Sequence, residues 1–144
     1  MTSFIPKDGH FHGFALIADI NGFTGLVRRS AGNFIAQFVR DVLLGPVGAI
    51  EQAGGEVVAV MGDAVLGILP DTQSITHACV SIAKDANKQS EYISVIQNRS
   101  AEAWSFAPGG PSLKIGIEYG ALDVSEISSR FFGTQRLIIG DAIN

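Results

Sequence analysis

Two aspartates in apolar surroundings are the residues of this 144-residue sequence best suited to chemistry. Asp19 ends the apolar run GFALIAD, and Asp63 lies in the middle of GGEVVAVMGDAVLGIL, which is Gly54 to Leu69. Two carboxylates held a few ångströms apart repel each other unless a cation neutralises them. Hard divalent ions such as Mg²⁺ bind through one or two carboxylates together with substrate phosphates and water. If the two aspartates meet, their chemistry is that of a divalent-metal site.

A glycine-containing turn directly follows Asp19. The segment NGFTG, residues 21–25, leads from the first apolar run toward a helical pattern. Such a turn can present consecutive backbone N–H groups to an anion. Two acids for a metal ion, next to amides for phosphate, suit a nucleoside triphosphate. The simpler alternative stays open, in which Asp63 is a turn former and Asp19 caps the turn that follows it.

The composition predicts one globular domain over residues 1–144. Hydrophobic residues make up 47% and charged residues 17% of the sequence, which is typical of a compact protein. The net charge of −4 and the lack of a Lys/Arg run argue against nucleic acid as a partner. The apolar runs are shorter than a membrane span, and the N-terminus lacks the features of a signal peptide. With Cys79 as the single cysteine, we expect a soluble, cytoplasmic protein that binds no membrane.

The elements that must position the aspartates follow from the hydrophobic pattern. A first strand is predicted over Gly13–Asp19, and apolar residues at helical spacing predict a helix from Ser30 to Ala53. Gly54 or Gly55 is expected to cap that helix. A hairpin is then predicted over Glu56–Leu69, with Gly62 supplying the unusual backbone angle of its turn.

The second half of the sequence completes an α+β fold. A second helix is predicted to begin at Pro70-Asp71-Thr72 and to end at the loop APGGPS. LKIGIEYG and ALDVSEIS are expected to form a second hairpin, and TQRLIIG a short last strand. The order β-α-β-β-α-β is that of the ferredoxin-like fold, an antiparallel sheet with helices packed on one face. In this topology the end of the first strand and the tip of the first hairpin share one edge, so that Asp19 and Asp63 meet.

Four segments resemble, in order, the motifs of the class III adenylate/guanylate cyclase catalytic domain. ADINGFTGL is similar to the first signature of that family, and GGEVVAVMGDAVLGIL to the second, which is centred on Gly-Asp. LKIGIEYGALDVSEIS resembles the Ile-Gly-Ile-x-x-Gly hairpin, and IIGDAIN the segment that ends in a functional Asn. The resemblance covers almost the whole chain and implies a single cyclase-homology domain that lacks the C-terminal part of the family domain.

The resemblance also implies a role for each matching position. Asp19 and Asp63, with the backbone carbonyl of Ile20, match the ligands of two divalent ions, Mg²⁺ or Mn²⁺. Asn144 matches the catalytic Asn that orients the ribose. The turn that holds the β- and γ-phosphates is matched by Asn21, Gly22, Phe23 and Thr24.

The implied reaction forms a 3′,5′-cyclic nucleotide and pyrophosphate from a nucleoside triphosphate, in cyclic-nucleotide signalling. In the family one metal ion activates the ribose 3′-OH and the other steadies the triphosphate. Positioning and charge neutralisation then determine the rate. The active site of the family forms between two catalytic domains, which implies a homodimer or a cyclase-like heterodimer.

Three positions depart from the family pattern. Ala59 stands where the family has a Lys that reads the base, and Leu137 replaces its polar partner, so these residues assign neither adenine nor guanine. The sequence ends at Asn144, before the positions of the family's Arg and Lys that stabilise phosphate charge. Loss of such an Arg costs about 10³–10⁵ in rate by analogy with arginine fingers. We therefore expect weak or no turnover from these 144 residues, whether they are a fragment or a trimmed domain.

Two alternatives to a catalytic domain stay open. One is a catalytically degenerate cyclase-homology module that binds a nucleotide or only dimerises in signal transduction. The other is a ferredoxin-like domain for another ligand. Arg130 and Arg136 are candidates for the missing positive charge, but we interpret them as solvated loop residues. His10 and His12 are interpreted as a surface pair rather than as metal ligands.

Overall fold

A five-stranded antiparallel sheet is the framework of the protein, whose computed structural model describes residues 2–20, 32–84 and 113–143. The spatial order of the strands is β2-β3-β1-β4-β5. A 3₁₀ turn, Asp141–Ile143, follows the last strand. The strands are β1 (Gly9–Ile20), β2 (Glu56–Met61), β3 (Ala64–Leu69), β4 (Leu113–Ser129) and β5 (Gly133–Gly140).

Two helices pack on one face of the sheet, because their apolar residues recur at three- and four-residue spacing. Helix α1 spans Gly32–Gln52, and helix α2 spans residues 72–84, the last of which is also the last described residue of this segment. Neither helix, over the residues described, is long and apolar enough to cross a membrane. The buried core on this face consists of Leu16, Ala18, Ile20, Phe38, Val42, Leu43, Ala49, Ile50, Val65, Leu69, Ile75, Ala78 and Ile82.

The N-terminal segment, residues 2–8, lies against the opposite face of the sheet. Its Ile5 is only 2% exposed and belongs to a second core cluster with residues of β1, β3 and β4. The backbone N–H of Phe4 donates to Oε1 of Glu56, at a distance of 2.9 Å, which fixes the segment to β2. Both faces of the central strands are therefore covered.

The predicted ferredoxin-like arrangement is confirmed. β3 pairs antiparallel with both β1 and β2, so that β1 and β2 run parallel with β3 between them. β4 lies on the other side of β1, which gives the four-strand order expected of this fold, and β5 extends the sheet beyond β4.

The predicted second hairpin is wrong, because β4 is one continuous strand of 17 residues. Its first half pairs with the whole of β1, which extends back to Gly9 instead of beginning at Gly13. Gly120, the expected turn residue, pairs with Gly13 in the middle of this ladder. The hairpin turn is instead at residues 130–132, between β4 and β5. Long-range pairing with β1 has overridden the local glycine signal.

The glycine cap of α1 is confirmed at Gly54, which has a φ of +85°. The N–H of Gly54 donates to the carbonyl of Glu51, and the N–H of Gly55 donates to the carbonyl of Ile50 at 2.9 Å. These two bonds are those of a Schellman motif, which satisfies carbonyls at the helix end.

Asp71 caps the N-terminus of α2. Its Oδ1 accepts a hydrogen bond from the backbone N–H of Ser74 at 2.8 Å, and its carbonyl accepts one from the N–H of Ile75 at 3.1 Å. The bond from the Ser74 amide stabilises the ionised carboxylate and lowers the pKa of Asp71 below its ordinary value of 3.8.

We expect Asp71→Ala to lower the free energy of unfolding at neutral pH and to have less effect in acid. Because the pKa of Asp71 is lower in the folded than in the unfolded chain, the stabilisation is complete above the ordinary value of 3.8. It is lost as the pH falls through the lowered, folded value. Urea unfolding at several pH values measures this. Asp71→Asn is the control, because it keeps a capping oxygen without the charge. A difference between wild type and Asp71→Ala that does not change with pH would contradict the assignment.

Candidate functional site

The end of β1 and the tip of the β2–β3 hairpin bring Asp19 and Asp63 to the same edge of the sheet. Asp19 pairs in register with Ala64, the residue that follows Asp63. The backbone N–H of Ile20 donates to the carbonyl of Asp63 at 3.2 Å. The two aspartates therefore occupy adjacent positions across the β1–β3 ladder.

The turn that carries Asp63 depends on a glycine. Met61 pairs with Ala64, which leaves Gly62 and Asp63 as a two-residue loop. Gly62 has a φ of +59°. This backbone conformation is unfavourable for a residue with a side chain, but glycine adopts it readily. The expected role of Gly62 is confirmed.

Asp19 has an unusual environment for a carboxylate. By strand alternation its side chain leaves the sheet on the same face as Ala15 and Ile17, away from the helices. Its Oδ1 is buried and has no hydrogen-bond partner among residues 2–20, 32–84 and 113–143. A buried polar atom without a partner is unfavourable by about 1–3 kcal/mol. Such an atom requires an explanation, and a bound cation is one.

A cation of the chain itself lies near Asp19. Lys114 of β4 is the register partner of Asp19, so that the two side chains leave the sheet on the same face. Lys114 is exposed, and no ion pair between the two is formed. No local pattern in the sequence indicates Lys114, because only the β1–β4 register brings it next to Asp19.

Asp19, Asp63 and the carbonyl of Ile20 are suitable ligands for a divalent ion that takes only part of its coordination shell from the protein. Within the part of the chain that the structure describes, no three His, Cys, Asp or Glu side chains come together. Two carboxylates and a carbonyl suit Mg²⁺ or Mn²⁺, which take their remaining ligands from water and phosphate. Metal binding by Asp19, Ile20 and Asp63 stays a prediction. The proposed phosphate turn, Asn21 to Thr24, and the proposed catalytic Asn144 lie outside the described residues.

A second feature is a cavity of about 620 Å³ between β2 and β5. Residues 56–61 of β2 line it, among them Ala59, together with Gln135 and Arg136 of β5. The register of β2 shifts between Val57 and Ala59, and a bulge of this kind changes the direction of neighbouring side chains. Leu137 follows Arg136 in the strand and so lies on the other side of β5.

The prediction that Arg136 is a solvated loop residue is wrong. Arg136 lies in β5, and its Nη1 contacts Oε2 of Glu56 at 3.2 Å and Oγ of Ser3 at 2.9 Å. The Arg136 and Glu56 side chains are 33% and 27% exposed. The ion pair joins β2 and β5, the two outer strands of the sheet. The N-terminal segment, which lies against this face, also contacts Arg136 through Ser3. Arg130, by contrast, is exposed in the β4–β5 turn.

His10 and His12 lie near the N-terminal end of β1, as expected for a surface pair. Nδ1 of His10 contacts a carboxylate oxygen of Asp123, and both side chains are largely exposed. The ring of His12 lies near that of Tyr119, with 6.2 Å between ring centres.

The chain has the fold of the class III adenylyl and guanylyl cyclase catalytic domains, and its resemblance to that family is confirmed. It is 28% identical to an adenylate cyclase of Anabaena cylindrica over 133 residues, which are 90% of this chain. The chain spans 25% of the length of that relative. No known protein-family profile matches the sequence.

Solved structures share this fold at low sequence identity. A bacterial light-regulated adenylyl cyclase superposes with a TM-score of 0.76 at 18% identity, over 96% of this chain and 39% of that one. The guanylate cyclase domain of RhGC from Catenaria anguillulae, solved with GTP, gives 0.69 at 16% identity, over 93% and 69%. A non-canonical dimeric guanylyl cyclase domain of a Blastocladiella emersonii fusion protein gives 0.63 at 15% identity, over 94% and 71%.

Proposed function

We propose that this chain is a nucleotidyl cyclase-type domain that binds a divalent metal ion and a nucleoside triphosphate. The observation that carries the proposal is the pairing of the β1 end with the hairpin tip, which makes Asp19 and Asp63 neighbours. Oδ1 of Asp19, buried and unpartnered among the described residues, is the group that a cation would satisfy. The order of the four cyclase-like motifs gives independent support.

In the proposed site the residues of this chain hold and orient the reactants. Asp19, Asp63 and the carbonyl of Ile20 would hold one or two Mg²⁺ or Mn²⁺ ions. The amides of the turn from Asn21 to Thr24 would bind the β- and γ-phosphates, because consecutive N–H groups form an anion site. Bound divalent ions would neutralise phosphate charge and favour attack of the ribose 3′-OH on the α-phosphate. Asn144 would hold the ribose in line for that attack, as its match to the family motif implies.

The assembly that we propose is a homodimer or a cyclase-like heterodimer. Support comes from the family resemblance of the motifs, since the related guanylyl cyclase domain of Blastocladiella emersonii has been solved both as a monomer and as a non-canonical dimer. In such an assembly the two aspartates of one domain would face the Asn144 side of its partner.

A second candidate is a nucleotide-binding module that does not turn over. Ala59 favours it, because this apolar residue lines the cavity where the family resemblance implies a base-reading Lys. Both candidates require metal-dependent nucleotide binding. An assay for cyclic nucleotide and pyrophosphate, with Mn²⁺ and each nucleotide, separates them.

The first prediction of the proposal concerns removal of the metal ion. We expect GTP or ATP to bind the purified chain in the presence of Mn²⁺, and the affinity to fall at least about tenfold when EDTA replaces the metal. The physical reason is that the two carboxylates repel a triphosphate unless a cation lies between them. Isothermal titration calorimetry measures both affinities.

Asp63→Asn and Asp8→Asn form a matched pair of variants for this titration. Asp63 belongs to the proposed site, whereas Asp8 is an exposed acid of the N-terminal segment. The first change is expected to reduce metal-dependent binding and the second to leave it unaltered. Failure of wild type to bind any nucleotide with Mn²⁺, or equal binding with EDTA, would refute the proposed function.

A further inference from the structure

His10 and His12 leave β1 on the same face of the sheet, because side chains alternate along a strand and one residue separates the two. This is the face on which the helices pack. The residues of β1 that pack against the core on this face begin only at Phe14. Both histidines are exposed, and the side chain of His10 is 84% exposed. The pair therefore lies on an open part of the sheet, where a solute can reach both imidazole rings.

Two residues of β4 orient the two imidazole rings. Asp123 is the register partner of His10, and its carboxylate contacts Nδ1 of that ring. Tyr119 is the diagonal neighbour of His12 across the ladder, with 6.2 Å between the ring centres. Tyr119 in turn packs on Phe14, with 4.8 Å between the ring centres. Each histidine therefore has its own orienting residue on the neighbouring strand, which no spacing within β1 indicates.

The contact with Asp123 decides which nitrogen of His10 can bind a metal ion. An ionised carboxylate only accepts hydrogen bonds, so Nδ1 is the donor in this contact. A neutral imidazole with its proton on Nδ1 carries its lone pair on Nε2. A carboxylate that accepts from the second nitrogen of a histidine is the usual outer shell of a metal-binding imidazole, because it fixes the ring and raises its basicity. His10 is therefore oriented as a metal ligand through Nε2.

We propose that His10 and His12 together bind one Zn²⁺ ion. Their Cα atoms are about 6.6 Å apart at the rise of a strand, and imidazole rings on one face can converge over this span on an ion with Zn–N bonds of about 2.0–2.1 Å. Imidazole nitrogen suits Zn²⁺, whereas Mg²⁺ and Mn²⁺ prefer oxygen ligands. Water completes the coordination shell, since among the described residues no third His, Cys, Asp or Glu joins the pair as a ligand.

The Zn²⁺ site is separate from the proposed site at Asp19 and Asp63. Asp19 follows His12 by seven residues, which is about 23 Å along a strand. Its side chain also leaves β1 on the opposite face, by the same alternation. The two sites differ in chemistry as well, with nitrogen ligands at one and oxygen ligands at the other. The inference goes beyond the proposed function and does not depend on it, so its test needs no nucleotide.

The test is a calorimetric titration of the chain, purified without a polyhistidine tag, with Zn²⁺ in excess Mg²⁺. The Mg²⁺ occupies carboxylate sites and does not compete for imidazole. We expect wild type to bind one Zn²⁺ per chain. His10→Gln and His12→Gln should each lower the affinity by more than about tenfold, because the ion needs both rings, and Asp123→Asn should lower it about tenfold through His10. The matched control is His77→Gln, an exposed histidine of α2, which should bind Zn²⁺ as wild type does.

NMR of the imidazole resonances tests the same site on wild type alone. The chain contains three histidines, so Zn²⁺ should shift the resonances of His10 and His12 and leave those of His77 in place. Circular dichroism verifies that each variant is folded. Four outcomes would overturn the proposal: no binding of Zn²⁺ by wild type, one ion per two chains, a shift confined to His77, or unaltered affinity in any of the three site variants.

Discussion

Asp19→Asn is expected to have opposite effects on the metal-free and the nucleotide-bound protein. Without metal, the free energy of unfolding should rise by about 1 kcal/mol, because a neutral amide is less costly to bury unpartnered than a carboxylate. With Mn²⁺ and a triphosphate, affinity should fall about 100-fold or more, because one of two charged ligands is lost. A ligand at 100 times its Kd stabilises the native state by about 2.7 kcal/mol, and the variant should lose this stabilisation.

Thermal unfolding with and without Mn²⁺ and nucleotide measures both effects in one experiment. The opposite signs separate a ligand of the metal from a residue needed only for folding, which would lower stability in both conditions. Asp8→Asn serves as the control, because Asp8 is exposed and directly precedes β1, at the end of that strand opposite to Asp19. If Asp19→Asn destabilised the metal-free protein and still bound nucleotide as wild type does, Asp19 would be a structural residue.

Gly140→Ala is expected to have the largest effect on stability. A Cβ at this position would overlap the backbone carbonyl oxygen of Ala121 and lie 2.9 Å from Cδ2 of Leu122. Leu122 is fully buried, and it is the register partner of Gly140 in the β4–β5 ladder. Backbone cannot move aside as a flexible side chain can, so we expect a loss of about 3 kcal/mol in the free energy of unfolding.

Gly116→Ala is the matched control for this substitution. Gly116 also lies in a long strand, β4, but a Cβ there would meet nothing within 4 Å. Its replacement should stabilise the protein slightly or leave it unchanged, because alanine loses less conformational entropy on folding. Urea unfolding of the two variants provides the comparison. Equal stabilities of the two variants would show that the β4–β5 ladder accommodates a side chain at Gly140.

The sequence by itself determined helix α1, the first hairpin and the adjacent positions of the two aspartates. Glycines that take positive φ, such as Gly54 and Gly62, and the helix-capping Asp71 are signals that act within a few residues. Hydrophobic periodicity gave the order of strands and helices, and that order leaves few topologies. In an antiparallel pair the end of one strand lies beside the start of the other. Placing Asp19 at the end of β1 and Asp63 at the hairpin tip just before β3 was therefore enough to make them neighbours.

The tertiary structure alone decided the length of β4 and the ion pair between β2 and β5. The local sequence around Gly120 predicts a turn, but pairing along the whole of β1 keeps this residue in an extended strand. Glu56 and Arg136 are 80 residues apart in sequence and lie on opposite edge strands, so no local pattern predicts that they form an ion pair. The physical reason is the same in both cases: interactions across the sheet contribute more free energy than the local preferences of single residues.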